Sequence, residues 1–233
     1  MIKLLIDVGN TTTHCKWYDS QNNSFIKETI FMTKNVLQDE TKVVFESHYD
    51  QLVYSSVVKK IEEKIKQKEN KAYSIFDFKK INQNDFVYPI DQLGQDFIAN
   101  FYGWKTSNGI IVSLGTATTF MIIKDSKMIG AIISPGIESS FKGLIDSADA
   151  LEFNFYQEVK WETNTKNLWT KQAINKGVVN GHWYMIKGLI EEIKKEHNIK
   201  DVILTGGYAD LLIQNKYNVN KNLIFEGIIN ISS

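Results

Sequence analysis

Ile6-Asp7-Val8-Gly9-Asn10-Thr11-Thr12-Thr13-His14-Cys15-Lys16-Trp17-Tyr18-Asp19-Ser20 can be laid without a gap over Val112-Ser113-Leu114-Gly115-Thr116-Ala117-Thr118-Thr119-Phe120-Met121-Ile122-Ile123-Lys124-Asp125-Ser126. In that overlay Gly9 meets Gly115, Thr12 and Thr13 meet Thr118 and Thr119, and Asp19 and Ser20 meet Asp125 and Ser126. Each copy reads as an apolar strand, a Gly/Thr turn, a second strand and an Asp-Ser turn. A repeated supersecondary unit is the signature of a duplicated architecture. One copy opens each half of the chain, which predicts two similar lobes, residues 1–106 and 107–233, facing each other across a cleft. Coincidence between strand-rich segments is the competing account.

Hydrophobic patterning extends this outward. Residues 2–6 are apolar and β-branched and end in turn-type residues, which predicts a buried strand. Residues 14–18 and 25–31 predict two more strands around a turn at 19–24, giving an antiparallel meander. A short strand is expected at 52–55 and a surface helix at 59–71, with Glu62 and Lys66 in the favourable i, i+4 order. A nucleic-acid patch is the other reading of that lysine-rich stretch, but its acids balance its lysines. Phe97, Phe101 and Trp104 stand at helical spacing within 93–104. Strands are expected at 109–114, 119–123, 128–133 and 202–204. One long helix is expected at 171–196, with Ile174, Val178, Gly181, Met185, Leu189 and Ile193 on its buried face. Gly177, Gly181 and Gly188 weaken that helix. They suit close helix–helix approach, either with a second copy of the chain or within one copy.

The 233 residues are 43% hydrophobic and 23% charged with zero formal net charge, an ordinary globular composition with no electrostatic pull toward nucleic acid. All 27 basic residues are lysine, so the chain cannot build a bidentate guanidinium clamp on a phosphate or carboxylate. Cys15 is the single cysteine and excludes an intramolecular disulfide. It reads as a small apolar strand residue, with a reactive thiol as the alternative. No apolar run reaches the length of a membrane span, and Asp7 cuts the first one short, so a cytoplasmic protein is expected.

Gly/Thr turns expose backbone N–H groups with little obstruction, and such concave amide arrays bind anions. Asp7, at the end of its strand, offers a carboxylate suited to Mg²⁺, usually through water. The segment is neither a Walker loop nor a dinucleotide fingerprint. Thr205-Gly206-Gly207 supplies a third such turn. A tight ligand-free hairpin is the bland reading of each turn alone.

These residues carry a family resemblance. Asp7-Val8-Gly9-Asn10-Thr11, Ser55-Ser56-Val57-Val58, Leu93-Gly94-Gln95-Asp96-Phe97-Ile98-Ala99-Asn100, Gly115-Thr116-Ala117-Thr118-Thr119-Phe120, Ser134-Pro135-Gly136 and Thr205-Gly206-Gly207 follow in the order seen in the type III pantothenate kinases. These are a bacterial branch of the acetate and sugar kinase/actin superfamily, and the chain resembles them nearly end to end. The resemblance implies an α/β protein of two ribonuclease H-like lobes, the actin-like ATPase fold, facing a nucleotide cleft. It also implies ATP-dependent phosphorylation of pantothenate, the first step toward coenzyme A, in a homodimer using Mg²⁺ and a monovalent cation, K⁺ or NH₄⁺.

Carried over residue by residue, Asp96 is the implied general base. Tyr88, Gly94, Gln95, Asp96, Phe97 and Thr170 fall on the pantothenate side. Asp7, Val8, Gly9, Asn10, Thr11, Thr12, Thr13, His14 and Thr116 fall on the ATP side. Two positions depart from the pattern: Phe97 stands where the family has arginine, and Ser113 where it has the aspartate that holds the monovalent cation. A non-catalytic accessory protein on the same fold, or a kinase or phosphatase for another small substrate, are the rival readings.

Overall fold

The computed structural model describes residues 1–38, 48–104, 106–212 and 217–233. Contacts divide the chain into a first unit, Met1–Lys105 with Asn222–Ser233, and a second, Thr106–Lys221. The first unit contains β1 (Ile2–Val8), β2 (Thr12–Asp19), β3 (Ser24–Met32), α1 (Thr33–Gln38), β4 (Gln51–Ser56), α2 (Lys59–Lys68), β5 (Ala72–Ser74) and α3 (Gln95–Gly103). The second contains β6 (Gly109–Leu114), β7 (Ala117–Lys124), β8 (Lys127–Pro135), α4 (Ile137–Asp146), α5 (Phe155–Glu158), α6 (Thr170–Asn175), α7 (Gly181–His197), β9 (Val202–Thr205) and β10 (Asn218–Val219). Helix α8 (Leu223–Ile231) completes the first unit.

Each unit is built on a five-stranded mixed sheet, and the two sheets have the same plan. Their orders are β3-β2-β1-β4-β5 and β8-β7-β6-β9-β10. In each, the opening three strands form an antiparallel meander and the last two join in parallel. Even the irregularities correspond, with a register shift at Trp17/Tyr18 in one sheet and Ile122/Ile123 in the other. The internal echo is therefore a duplication of fold.

The gapless overlay nevertheless slips by one residue. Val8 pairs with Thr13 across a turn spanning 9–12, whereas Leu114 pairs with Thr118 across a turn spanning only 115–117. By strand register, Thr13 corresponds to Thr118 and His14 to Thr119, and the match of Asp19 with Asp125 is one position off. A one-residue slip matters because alternate residues face opposite sides of a sheet.

Helix α8 also departs from the sequence expectation, which left residues 222–233 with the second lobe. Its buried Leu223, Phe225, Ile228 and Ile231 pack against α3 and β1. Lys3 Nζ donates to the Ser232 carbonyl (2.8 Å) and hydroxyl (3.1 Å), a cation where the helix dipole is negative. Lys16 Nζ donates to Asn222 Oδ1 at the other end (2.5 Å). The crossing with α3 is close: a Cβ on Gly227 would lie 1.7 Å from the Ala99 carbonyl oxygen, and one on Gly103 would lie 2.1 Å from that of Leu223.

The opposite face of the first sheet buries Leu4, Ile6 and Val8 with Leu52, Tyr54, Ile61 and Ile65. Cys15 belongs to that core, and burial pushes its thiol up to about 12, which supports the packing role.

The long helix of the second unit is not continuous. A π-helical turn at Lys176–Asn180 separates α6 from α7. It lengthens the step between inward positions, so the buried face runs Ile174, Val179, Trp183, Ile186, Ile190 and Ile193. Of the predicted face, Val178, Met185 and Leu189 are only partly buried, and Gly181 looks into open space. The buried amides of Asn175 and Asn180 hold the π turn against the preceding segment. Asn175 accepts from Lys160 N and donates to the Glu158 carbonyl, and Asn180 accepts from Glu162 N and donates to its carbonyl. No helix among the described residues is long and apolar enough to cross a membrane.

Gly227→Ala drives a methyl group into the α3 backbone and should cost about 3 kcal/mol of unfolding free energy. Gly143→Ala, on α4 with nothing within 4 Å of its Cβ position, should gain up to about 1 kcal/mol. Urea midpoints of the two variants against wild type measure both.

Candidate active site

Asp7 is the next-to-last residue of β1, between Ser55 of β4 and His14 of β2 in the ladder. The turn after it is tied from within. Gly9 N–H donates to the Thr12 carbonyl (2.9 Å), so that amide closes the turn and is not offered to an anion. Thr33, at the start of α1, is the clamp that sequence reasoning missed. Its N–H donates to the Thr11 carbonyl (2.9 Å), its hydroxyl donates to the Gly9 carbonyl (2.7 Å), and it lies 3.2 Å from the Thr13 hydroxyl. Thr13 is thereby buried as a strut, while Asn10 and Thr12 are exposed on the turn. Val8 lies wholly in the core. His14 Nε2 meets Glu28 Oε1 at 2.8 Å with its ring edge-on to Phe225, so its side chain is committed to the sheet rather than to the turn.

Asp96 occupies the first turn of α3, a position favoured for an acid by the helix dipole. Gly94 is its N-cap, and the reason for glycine is steric: a Cβ there would sit 2.3 Å from Asp96 Oδ1. Burial raises the Asp96 carboxyl above the usual range, opposed by backbone N–H donors of Phe97 and of Asp96 itself. Asp7 is pushed up to about 7, first by burial and second by the negative charge of Asp96. Two carboxylates thus face one environment that resists the ionisation of both.

Gln95 turns inward. Its buried amide oxygen accepts from Ser56 N–H (3.1 Å) and the Ser74 hydroxyl (3.4 Å), so it fastens α3 to β4. Phe97 is half-buried on the same helix. Tyr88 is 41% exposed, and its carbonyl is held by Gln83 Nε2 at 2.9 Å. Gln83 also accepts from Ile90 N–H, which fixes the Tyr88-Pro89 bend that sequence reasoning read only as extended chain.

In the second unit the three motifs converge on one turn. Gly115 N–H donates to the Ala117 carbonyl (3.0 Å), matching Gly9. The Thr116 carbonyl accepts from Gly136 N–H (3.0 Å) and the Ser139 hydroxyl (2.6 Å), and Thr116 itself is exposed. A Cβ on Gly136 would lie 2.1 Å from the Gly115 carbonyl oxygen. Gly206, with φ of +93°, would bring a Cβ within 2.5 Å of the Leu114 carbonyl oxygen. Gly136 and Gly206 are therefore steric requirements of the second turn.

Ser113 is flanked in the ladder by Thr119 and Thr205, a setting of hydroxyls without a carboxylate. Thr118 Oγ1 lies 2.8 Å from His182 Nε2, both buried, and burial pushes the histidine down to about 4. Glu138, unforeseen from sequence, collects Tyr156 (2.8 Å), Tyr208 (2.6 Å) and Lys142 (2.7 Å). Thr170 is exposed at the first position of α6, after the 83% exposed Trp169.

Asp7 and Asp96 present oxygen donors to a region whose charge nothing in the pair itself neutralises. That donor set fits Mg²⁺, which favours carboxylates and retained waters.

Comparison with known proteins bears on these motifs. A sequence model of the family described as type III pantothenate kinase matches residues 3–192. A type III pantothenate kinase from Mycoplasma mobile is 29% identical, over 97% of both chains. Another from Borreliella burgdorferi is 30% identical, over 97% of this chain and 92% of its own. Among solved structures, a Campylobacter jejuni protein described as a Baf family transcriptional activator aligns with a TM-score of 0.63 at 24% identity. That alignment covers 98% of this chain and 96% of its own, and it speaks to the fold.

Asp7→Asn should raise stability at pH 8. The folded carboxyl titrates near about 7 and the unfolded one near 3.8, so the folded state holds the proton more tightly. Its contribution is favourable at low pH and is lost as pH rises through about 7. The gain in melting temperature from Asp7→Asn should accordingly shrink as pH is lowered from 8 toward 4, in a thermal-denaturation series without metal.

Proposed function

Because the chain belongs to the type III pantothenate kinase family, we propose that Asp96 takes the proton from the pantothenate hydroxyl and that Asp7 would hold, through water, the Mg²⁺ that accompanies ATP. The protein is an enzyme of coenzyme A biosynthesis that phosphorylates pantothenate with ATP. The observation supporting this assignment is the pair of carboxyls in the first unit, both raised by burial, with Asp96 adding its charge to the pressure on Asp7.

The chemistry follows from that pair. The pantothenate hydroxyl oxygen forms a bond to the γ-phosphorus as the bond to the β–γ bridging oxygen breaks, releasing ADP. Little covalent work falls to the protein, so positioning and charge stabilisation dominate. A carboxylate of raised pKa is a stronger base, and Asp96 accepts the hydroxyl proton as its oxygen loses basicity to phosphorus. Gly94 keeps the space in which that carboxylate sits. When bound, Mg²⁺ would supply positive charge that offsets that of the ATP phosphates, and Asp7 is the residue that would hold it, through water. Asn10, Thr11 and Thr12, on the turn after Asp7, belong to the ATP side. Tyr88 and Phe97 belong to the pantothenate side, with Gln95 as the brace beneath. Ser113 leaves the monovalent-cation position without a carboxylate, which supports a reaction independent of K⁺ or NH₄⁺. The setting is the cytoplasm.

A homodimer is part of the same proposal. Gly177, Gly181 and Gly188 have nothing within 4 Å of their Cβ positions, so packing within the unit does not explain them. Tyr184, 57% exposed, stands among them on α7. A second copy of α7 would use this small-residue face.

Purified protein with ATP, Mg²⁺ and pantothenate should yield phosphopantothenate, with or without K⁺ or NH₄⁺. Absence of product in every salt would favour the accessory-protein reading. Asp96→Asn should fold at least as stably as wild type and lose at least about 100-fold in kcat. Near-normal turnover would remove Asp96 from the role of base. Gly181→Leu should fold and shift the mass seen by light scattering from dimer to monomer, and a monomeric wild type would refute the dimer.

A further inference from the structure

Among the described residues, two buried polar atoms on the helix-covered side of the first sheet have no hydrogen-bond partner: Ser55 Oγ and Asn100 Oδ1. Trp17 Nε1 shares this condition, but Trp17 belongs to the apolar cluster on the other face, with Leu4 and Ile6. Ser55 is fully buried and stands in register with Asp7 across the parallel pair β1–β4. Alternation places residues 3, 5 and 7 of β1 with 51, 53 and 55 of β4 on one face. Lys3 from that set reaches Ser232 beyond the end of α8, which identifies the face as the one covered by α3 and α8. Asn100 is 6% exposed and lies one turn after Asp96 on α3, the helix that packs on β4.

Leaving a buried hydroxyl or amide oxygen unpaired costs ~1–3 kcal/mol each, and native proteins seldom tolerate it. Here the two atoms accompany the two carboxylates, Ser55 beside Asp7 and Asn100 beside Asp96. Their valences are complementary through a single bridge. A water that accepts the Ser55 hydroxyl hydrogen and donates to Asn100 Oδ1 keeps one hydrogen for a carboxylate oxygen. Three polar partners are the usual complement of a buried water.

We propose that Ser55 and Asn100 are positioning residues for the Asp7–Asp96 pair and act through one shared buried water. The water's remaining hydrogen fixes one carboxylate of the pair in the orientation that proton transfer requires, so the two residues serve the chemical step and not substrate affinity. This rests on the assignment of Asp96 as base.

A double-mutant cycle and a high-resolution crystal structure test it. Ser55→Ala and Asn100→Leu should each lower kcat about tenfold, with KM for ATP and for pantothenate changed less than about twofold. The double variant should be no slower than the slower single one, because both substitutions release the same water. Multiplicative losses near a hundredfold, unchanged kcat, or effects confined to KM would overturn the proposal. The crystal structure of the wild type should show a water within hydrogen-bond distance of both Ser55 Oγ and Asn100 Oδ1. A direct Ser55–Asn100 bond, or an anomalous signal from a soaked heavy monovalent cation at that position, would overturn it independently of turnover. If the wild type made no phosphopantothenate, the functional assignment would fail while the density still decided the water.

Discussion

The close crossing of α8 on α3 sets the position of everything chemical in the first unit. At Gly227 and Gly103 the two backbones meet with no room for a side chain. That contact fixes how deep α3 lies against the sheet, and α3 carries Asp96, Asn100 and the Gln95 brace. The lysines at the two ends of α8 do related work. Lys3 and Lys16 are buried cations whose positions on β1 and β2 tie the helix to the same strands that lead into the first turn. Glycine contact and lysine anchoring thereby transmit the geometry of the sheet to a carboxylate on a helix.

The first unit also holds electrostatic strain. Burial and the neighbouring charge of Asp96 hold Asp7 well above an ordinary aspartate, a cost to the empty fold. Sites built this way gain when a cation arrives, because the same desolvation that penalises bare charge strengthens its pairing. The chain does this without arginine, and two of its lysines are engaged elsewhere: Lys16 faces Glu28 and Asn222, and Lys142 faces Glu138. Backbone amides, hydroxyls and metal must carry what guanidinium groups carry in other phosphoryl-transfer sites.

Much of the fold was legible because the decisive residues report on backbone geometry. The Gly/Thr turns, the meander strands and the duplicated plan follow from periodicity and turn chemistry in residues 2–31 and 109–133. Glycines 94, 136 and 206 were visible as motif letters, and the structure supplies their cause in sub-van-der-Waals distances. What escaped was non-local or cumulative. Thr33, Gln83 and Glu138 act through partners far along the chain. The one-residue difference between the two turns is invisible when similar residues flank both. The π turn at Lys176–Asn180 alters a helical face without any proline or glycine pair to announce it. Helix α8 was unread because its Leu-Ile-Phe and Ile-Ile-Asn-Ile runs have no helical alternation, being buried on several sides.

The return of residues 222–231 to the first sheet has a temporal consequence. The second unit is an insertion in the first, so the strands of residues 2–56 leave the ribosome long before the helix that covers one of their faces. During that interval Lys3, Leu5 and Val53 stand beside an incomplete layer, while the inserted unit has its own sheet and core already in hand. Assembly of the carboxylate pair therefore waits on a segment more than a hundred residues downstream of Asp96. The first-made part of the chain is the last to become a catalyst.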